Sequence, residues 1–360
     1  MKSLREGDAV LVTGGAGFLG SNLAHRLAEQ GCRVRVLDTL ARPGVEGNLQ
    51  WLCAEHGDRI EPIVGDICST GTVLSGVKNA RAVFHFAAQV AVTTSMEDPR
   101  DDFATNLQGT FNILEAVRQH NPNAPLIFAS TNKVYGDLGD VDLHLTDHGY
   151  VPQDRQLAAF GIPEGRPLDF HTPYGCSKGA ADQYVLDYAR SYALRTAVLR
   201  MSCIYGPRQQ GSEDQGWVAH FLIQALQGKP IVLFGDGEQV RDVCHVGDAC
   251  EAYLKVLERI DAVSGRAFNW GGGPGNAVSL LTVLDEIGTI TGQPPRIDFA
   301  DWRPGDQRWF VADTRAAEQA LALRPRTAWR EGLRDLHAWL VEESSAVYAT
   351  PQQFRAAAAL

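Results

Sequence analysis

Short apolar runs recur along the first third of the chain, each followed by a segment whose apolar positions return at helical spacing. AVLVT ends at Thr13, and after a glycine-rich turn Leu19, Leu23 and Leu27 fall on one helical face. RVRVLD ends in Asp38, IEPIVGD in Asp66, AVFHFAAQ runs around Phe86, and PLIFAS reaches Ser130. Helical segments are predicted between them, near residues 48–55, 70–77 and 103–119. Strands and helices alternating in this way predict an α/β fold with a doubly wound parallel sheet. Ligands of such sheets sit beyond the carboxyl ends of the strands, which puts Asp66, Ile67, Ala87, Ala88, Gln89, Ser130 and Thr131 along a cleft. His85, inside an apolar strand, reads as a satisfied core histidine.

The pattern continues past a long insertion. Thr172 and Pro173 read as an N-cap followed by proline at the first helical position, so that Tyr174 and Lys178 share a helical face. RTAVLRM is a further strand, leading to a turn with Cys203, Tyr205 and Arg208. A loop then enters a helix whose first turns hold Gln215, Trp217 and Phe221, and a strand and glycine turn precede Arg241. WRPGDQRW brings Arg303, Asp306 and Arg308. Residues 271–275, GGGPG, read as a tight loop before a helix capped by Ser279, without the spacing of a second nucleotide site. There is no internal repeat, low-complexity tract or clear linker.

Composition narrows the classes. At 360 residues and 44% hydrophobic content the chain can bury one large core or two modest ones. Its 43 acidic residues against 33 basic leave a charge of -10, and no basic cluster appears. This argues against nucleic acid or an anionic membrane as partner. The seven cysteines are scattered and never spaced as CxxC, so neither a disulfide framework nor a metal site is expected, and reduced thiols point to the cytoplasm. No apolar run approaches the ~20 residues of a membrane span.

The chemistry lies in two places. Gly14, Gly17 and Gly20 form GxxGxxG directly after a buried strand and at the start of a helix, a pattern that seats a pyrophosphate on a helix N-terminus in Rossmann-type folds. Phe18 and Leu19 belong to the same turn. Asp38, about twenty residues on, can accept both adenosine ribose hydroxyls and would repel a 2'-phosphate, which favours NAD over NADP, with Arg42 close by. The second place is the Tyr174 face. A free tyrosine titrates near pH ~10, so its use as a base near neutrality requires a neighbouring cation, and Lys178 supplies one. In the second half, separated arginines suit a diphosphate clamp, since guanidinium forks match phosphate oxygens.

GGAGFLG, the strand-end Asp38, ASTNKVYG and PYGCSK together resemble the extended short-chain dehydrogenase/reductase superfamily of NAD-dependent epimerases and dehydratases. The resemblance covers nearly the whole chain. It implies Thr131 as the catalytic hydroxyl, Tyr174 as acid/base, and Lys178 as the lysine that holds the nicotinamide ribose and tunes the tyrosine. It implies bound NAD, a nucleotide-diphosphate sugar held by Asn132, Cys203, Arg208, Gln215, Trp217, Arg241, Arg303, Asp306 and Arg308, and a homodimer built on a four-helix bundle. Residues 1–180 would form the NAD-binding Rossmann domain with the tyrosine helix at its end. Residues 181–342 would form a smaller α/β region for the sugar nucleotide that returns strands to the sheet, with 343–360 as a tail. Several stretches, among them STNKVYG, EDQGWVAHF and WRPGDQRWFVADTR, resemble the branch that inverts carbon 2 of CDP-linked sugars such as CDP-paratose. Three other readings remain beside it. One is a 4-epimerase of UDP-sugars. Another is a 4,6-dehydratase, which would need an acidic pair where Asn132 and Lys133 follow Thr131. The third is a non-catalytic NAD sensor, which usually loses the YxxxK pair.

Overall fold

Successive side chains of the first strand serve two cores. The computed structural model describes residues 4–349 apart from 304, 324 and 325, and side chains as far as residue 343. In β1 (Ala9–Thr13), Val10 and Val12 face one side of the sheet and Leu11 the other, as the two-residue period of a strand requires. Six more strands join it: β2 (Arg33–Asp38), β3 (Ile60–Val64), β4 (Ala82–His85), β5 (Leu126–Thr131), β6 (Thr196–Met201) and β7 (Arg266–Trp270). They lie in the order β7-β6-β5-β4-β1-β2-β3, with every pairing parallel. β1 is buried between β2 and β4, with Val10 opposite Val34 on one side and Ala82 on the other. A sheet covered on both faces takes nearly continuous apolar strands, which is what AVLVT and TAVLRM provide.

Helices Phe18–Glu29 and Val246–Glu258 cover one face around Leu23, Leu27, Tyr253 and Leu257. Helices Thr70–Val77, Gly109–His120 and Thr172–Tyr192 cover the other around Val73, Ile113, Val117 and Val185. A third core, with Phe221, Leu222, Val283, Ile287 and Leu333, holds the second half together. There a small sheet of Cys203–Tyr205, Val240–His245, Ala277–Ser279 and Trp309–Phe310 packs with helices Trp217–Leu226, Leu280–Thr291 and Trp329–Ala349. Ser279 caps its helix as predicted, its hydroxyl accepting from Thr282 N.

Four elements differ from the sequence reading. The helix expected over 103–119 is broken into Pro99–Phe103, a π turn Ala104–Gln108 and Gly109–His120. The insertion carries a hairpin, Leu143–Thr146 with Gly149–Pro152, and a helix Arg155–Phe160. The tyrosine helix starts at Thr172, with His171 in the cap position and Thr172 at a positive φ of 62°; the Thr172 hydroxyl still accepts from Gly175 N at 3.4 Å. The last helix runs past residue 343 to Ala349, so the tail begins later than expected, and residues 350–360 lie outside the described part. No helix among the described residues is long and apolar enough to cross a membrane.

Candidate active site

A cleft of about 970 Å³ runs across the carboxyl ends of the central strands and opens toward the second half. At its first end lies the glycine turn. Gly14 has φ +63°, and a Cβ there would meet Ala87 N at 2.7 Å; a Cβ on Gly20 would meet Gly14 O at 2.1 Å. Neither position admits a side chain. Helix Phe18–Glu29 begins at Gly17 with no side-chain cap and no acid in its first turn, leaving its N-terminal amides to an anion. Asp38, at the end of β2, accepts from Ala16 N (3.1 Å) and Leu40 N (3.0 Å), which fixes its carboxylate at the rim. Phe18, Leu19, Arg42, Asp66, Ile67, Ala87, Ala88 and Gln89 line the same end. Ser130 Oγ is buried there without a hydrogen-bond partner, an acceptor and donor left for a ligand. The cradle and this orphaned hydroxyl fit a dinucleotide.

Thr131, Tyr174 and Lys178 meet at the middle of the cleft, each less than a tenth exposed. Tyr174 N donates to Ser95 Oγ at 3.2 Å, fixing the start of the helix. Burial lifts the Tyr174 phenol to about 12, and the neighbouring Thr131 hydroxyl pulls the other way. The Lys178 ammonium donates to Ala129 O at 2.6 Å and lies 4.2 Å over the Phe128 ring. Burial brings it down to about 7, against the fields of Asp182 and Asp102. The pair is therefore assembled, but the burial that assembles it disfavours charge on both members. His85 is the satisfied core residue expected: its ring bonds Thr13 Oγ1 (2.7 Å) and Thr110 Oγ1 (2.9 Å), and burial drops its pKa to about 3.

Toward the second half the wall carries Asn132, Cys203, Gln215, Trp217, Arg241, Arg303 and Asp306. Arg241 donates to Asp306 at 2.7 Å, and Arg303 pairs with Glu213 at 3.0 Å while stacking 3.7 Å from the Phe234 ring centroid. Trp217 Nε1 donates to Cys203 Sγ at 3.4 Å, and burial pushes that thiol up. Two expected ligands stand elsewhere. Arg208 is absent from the cleft wall; at φ 72° the chain turns its guanidinium onto the Trp51 ring (3.9 Å) and into an ion pair with Glu343 (2.9 Å). Arg308 is absent as well, its guanidinium lying near the rings of Trp302 and Tyr150. Both guanidinium groups find aromatic faces outside the site.

Further residues complete this wall. Lys133 lines the wall, donates to Gly305 O (3.2 Å) and lies 3.6 Å from Asp306, while Asn132 Nδ2 donates to Gln307 Oε1 (3.1 Å). Gln209 and Gln239 both turn a buried, unpaired Oε1 in the cleft wall. Glu213 and Asp214 come from the loop after Arg208, and Asp214 accepts from Thr93 Oγ1 at 2.9 Å on the opposite lip. This loop crosses the cleft as a strap. Among the described residues no group of three His, Cys, Asp or Glu could hold a metal ion.

Residues 10–271 match the model of the NAD dependent epimerase/dehydratase family. This chain belongs to that family. Among its relatives, CDP-paratose 2-epimerase of Salmonella typhi is 42% identical over 337 residues, 92% of this chain and 98% of that protein. A dTDP-glucose 4,6-dehydratase of Mycolicibacterium smegmatis is 33% identical, over 92% of each. The structure of UDP-glucose 4-epimerase from Thermus thermophilus in complex with NAD superposes with a TM-score of 0.77 at 31% identity, covering 92% of this chain and 99% of that one. Membership makes NAD the dinucleotide that the glycine cradle and Ser130 fit.

Proposed function

We propose that the protein is an NAD-dependent nucleotide-sugar epimerase that inverts carbon 2 of CDP-paratose or a related CDP-sugar. The observation that carries the reaction type is Tyr174, buried with Thr131 and Lys178 on the wall of one cleft between the dinucleotide cradle and the arginine wall. The 42% identity with CDP-paratose 2-epimerase along the chain supports the choice of carbon and base. Bound NAD would supply a reversible two-electron acceptor. Tyr174 takes the proton of the sugar hydroxyl and returns it, Thr131 holds the oxygen as it becomes a ketone, and the Lys178 cation favours the phenolate. Arg241 and Arg303 hold the diphosphate while the ring turns its other face, exchanging their carboxylates Asp306 and Glu213 for phosphate oxygens. Asn132 and Lys133, tied to Gln307 and Gly305, put no carboxylate after Thr131, which weighs against the elimination chemistry of a dehydratase.

Residues 1–180 are assigned to the cofactor and 181–342 mainly to the sugar nucleotide, with β6 and β7 given back to the sheet. We place the protein in the cytoplasm, supported by seven cysteines that are all free. A homodimer is supported by exposed Phe111 on Gly109–His120, Tyr184 and Tyr192 on Thr172–Tyr192, and Phe103 on the short helix before them.

The test is product analysis by NMR on CDP-sugars deuterated at carbon 2. Turnover should slow, and the label should stay in the inverted product because it never exchanges with water. An isotope effect from carbon 4 on a UDP-sugar instead would replace this reading with a 4-epimerase.

A further inference from the structure

Beneath the tyrosine helix lies a carboxylate that the proton transfer above does not use. Asp102, in the short helix Pro99–Phe103, is fully buried. Its Oδ2 accepts from Ser177 Oγ at 2.5 Å, and its Oδ1 from Gln89 Nε2 at 3.1 Å and Asn106 Nδ2 at 3.0 Å. All three donors are neutral. A carboxylate taken out of water is costly unless hydrogen bonds or a cation compensate it, and here the hydrogen bonds alone do so in direct contact.

The donors connect Asp102 to the reaction centre. Ser177 lies between Tyr174 and Lys178 on their helix, and Gln89 lines the cofactor end of the cleft. Asn106 sits in the π turn Ala104–Gln108, and its Nδ2 also donates to Gln89 O (3.0 Å) and approaches Ser177 Oγ (3.1 Å). The extra residue of a π turn is a common way to re-aim a side chain at a functional site.

We infer that Asp102 is a positioning residue whose buried negative charge sets the pH range over which the Tyr174–Lys178 pair works. The inference rests on the acid/base reading of that pair. The fields of two buried carboxylates reach Lys178, that of Asp182 first, and Asp102 is the one with no cation in direct contact. Asp182, on the same helix as Lys178, is spent in a bidentate pair with Arg200 at 2.9 Å for both bonds. His85 from β4 is neutral, held so by burial. Burial raises the Asp102 carboxyl above its ordinary value, the hydrogen bonds from Ser177 and Gln89 and the Lys178 cation pull it back toward the charged form, and Asp101 adds negative charge from the same helix. The Asp102 field strengthens the hold of both Lys178 and Tyr174 on their protons. The working form needs Lys178 protonated and Tyr174 ionised. Removing the Asp102 charge therefore loosens both protons and moves both limits of that form the same way, to lower pH.

The experiment compares Asp102→Asn with the parent, both as full-length protein with NAD bound. It records turnover against pH and the titration of the Tyr174 ring carbon by NMR with labelled tyrosine. Both limbs of the profile, and the Tyr174 midpoint, should fall by about one pH unit. Asp102→Glu, which keeps the charge, should leave them in place. Should Asp102→Asn fail to fold, Asp102→Ser, which leaves room for a water among the three donors, is read in the same way. A uniform loss of turnover with limbs and midpoint unmoved would overturn the inference and leave Asp102 a merely structural residue. Tyr174→Phe keeps the two readings apart: full turnover in that variant would end the acid/base reading, whereas the NMR midpoint reports on Asp102 regardless.

Discussion

Tyr174 sits where its ionisation is opposed. With the phenol lifted to about 12, forming the phenolate near pH 7 takes about 7 kcal/mol, which cations at the site must supply. Lys178 is one such cation, itself brought down to about 7 by the same burial. Tyr174→Phe removes the proton carrier without touching the glycine cradle. Turnover is expected to fall by roughly 10²–10⁴, the usual contribution of one positioned acid/base. NAD released on denaturing the variant should equal that from the parent; turnover within tenfold of the parent would remove Tyr174 from its role. The residues of this centre were legible because helical period puts Tyr174 and Lys178 on one face whatever surrounds them. The arginines were not legible to the same degree. A guanidinium on a long stem goes where an aromatic face or a carboxylate receives it. Arg208 went to Trp51 and Glu343, and Arg241 to Asp306 at the cleft. Gln239 gave no signal, since its place in the cleft wall, with an unpaired Oε1, is set by tertiary packing.

Among the elements, the stretch from Pro99 to His120 shows why a boundary can be misread while a face is read correctly. The π turn inserts no glycine or proline, so the apolar positions Ile113, Leu114 and Val117 keep their helical spacing and the pattern looks unbroken. What the same pattern leaves outward is informative. Phe111 and Tyr184 are 41% and 45% exposed and meet edge to face, ring centroids 6.0 Å apart, across the two helices. Large aromatics grouped on adjacent helices mark a surface that another copy can cover. Light scattering at micromolar concentration should return twice the chain mass, and Phe111→Asp with Tyr184→Asp should return the monomer. A monomeric parent would reject the dimer. Strand ends were the other legible element feature: Asp38, Asp66 and Ser130 all reach the cleft because parallel strands end on one side.

For the molecule as a whole, strand order in space departs from order along the chain. β5 pairs with β6 through six register positions, from Leu126 opposite Thr196 to Thr131 opposite Met201, and β6 in turn pairs with β7. The strand that carries Thr131 is thus an inner strand only when the residues just after the tyrosine helix, Thr196–Met201, are present. During synthesis the ribosome delivers the dinucleotide cradle first and the partner of β5 much later. In the interval Leu126, Ile127 and Phe128 stand on an open edge, an invitation to pair with another nascent chain. A fragment ending at residue 193 should therefore collect in the insoluble fraction, whereas one ending after β7 keeps the sheet complete. Size-exclusion chromatography of the two, expressed side by side, decides it, and a soluble monomeric 1–193 fragment would contradict it. The glycine cradle and the sheet that supports it are completed at different lengths of the same chain.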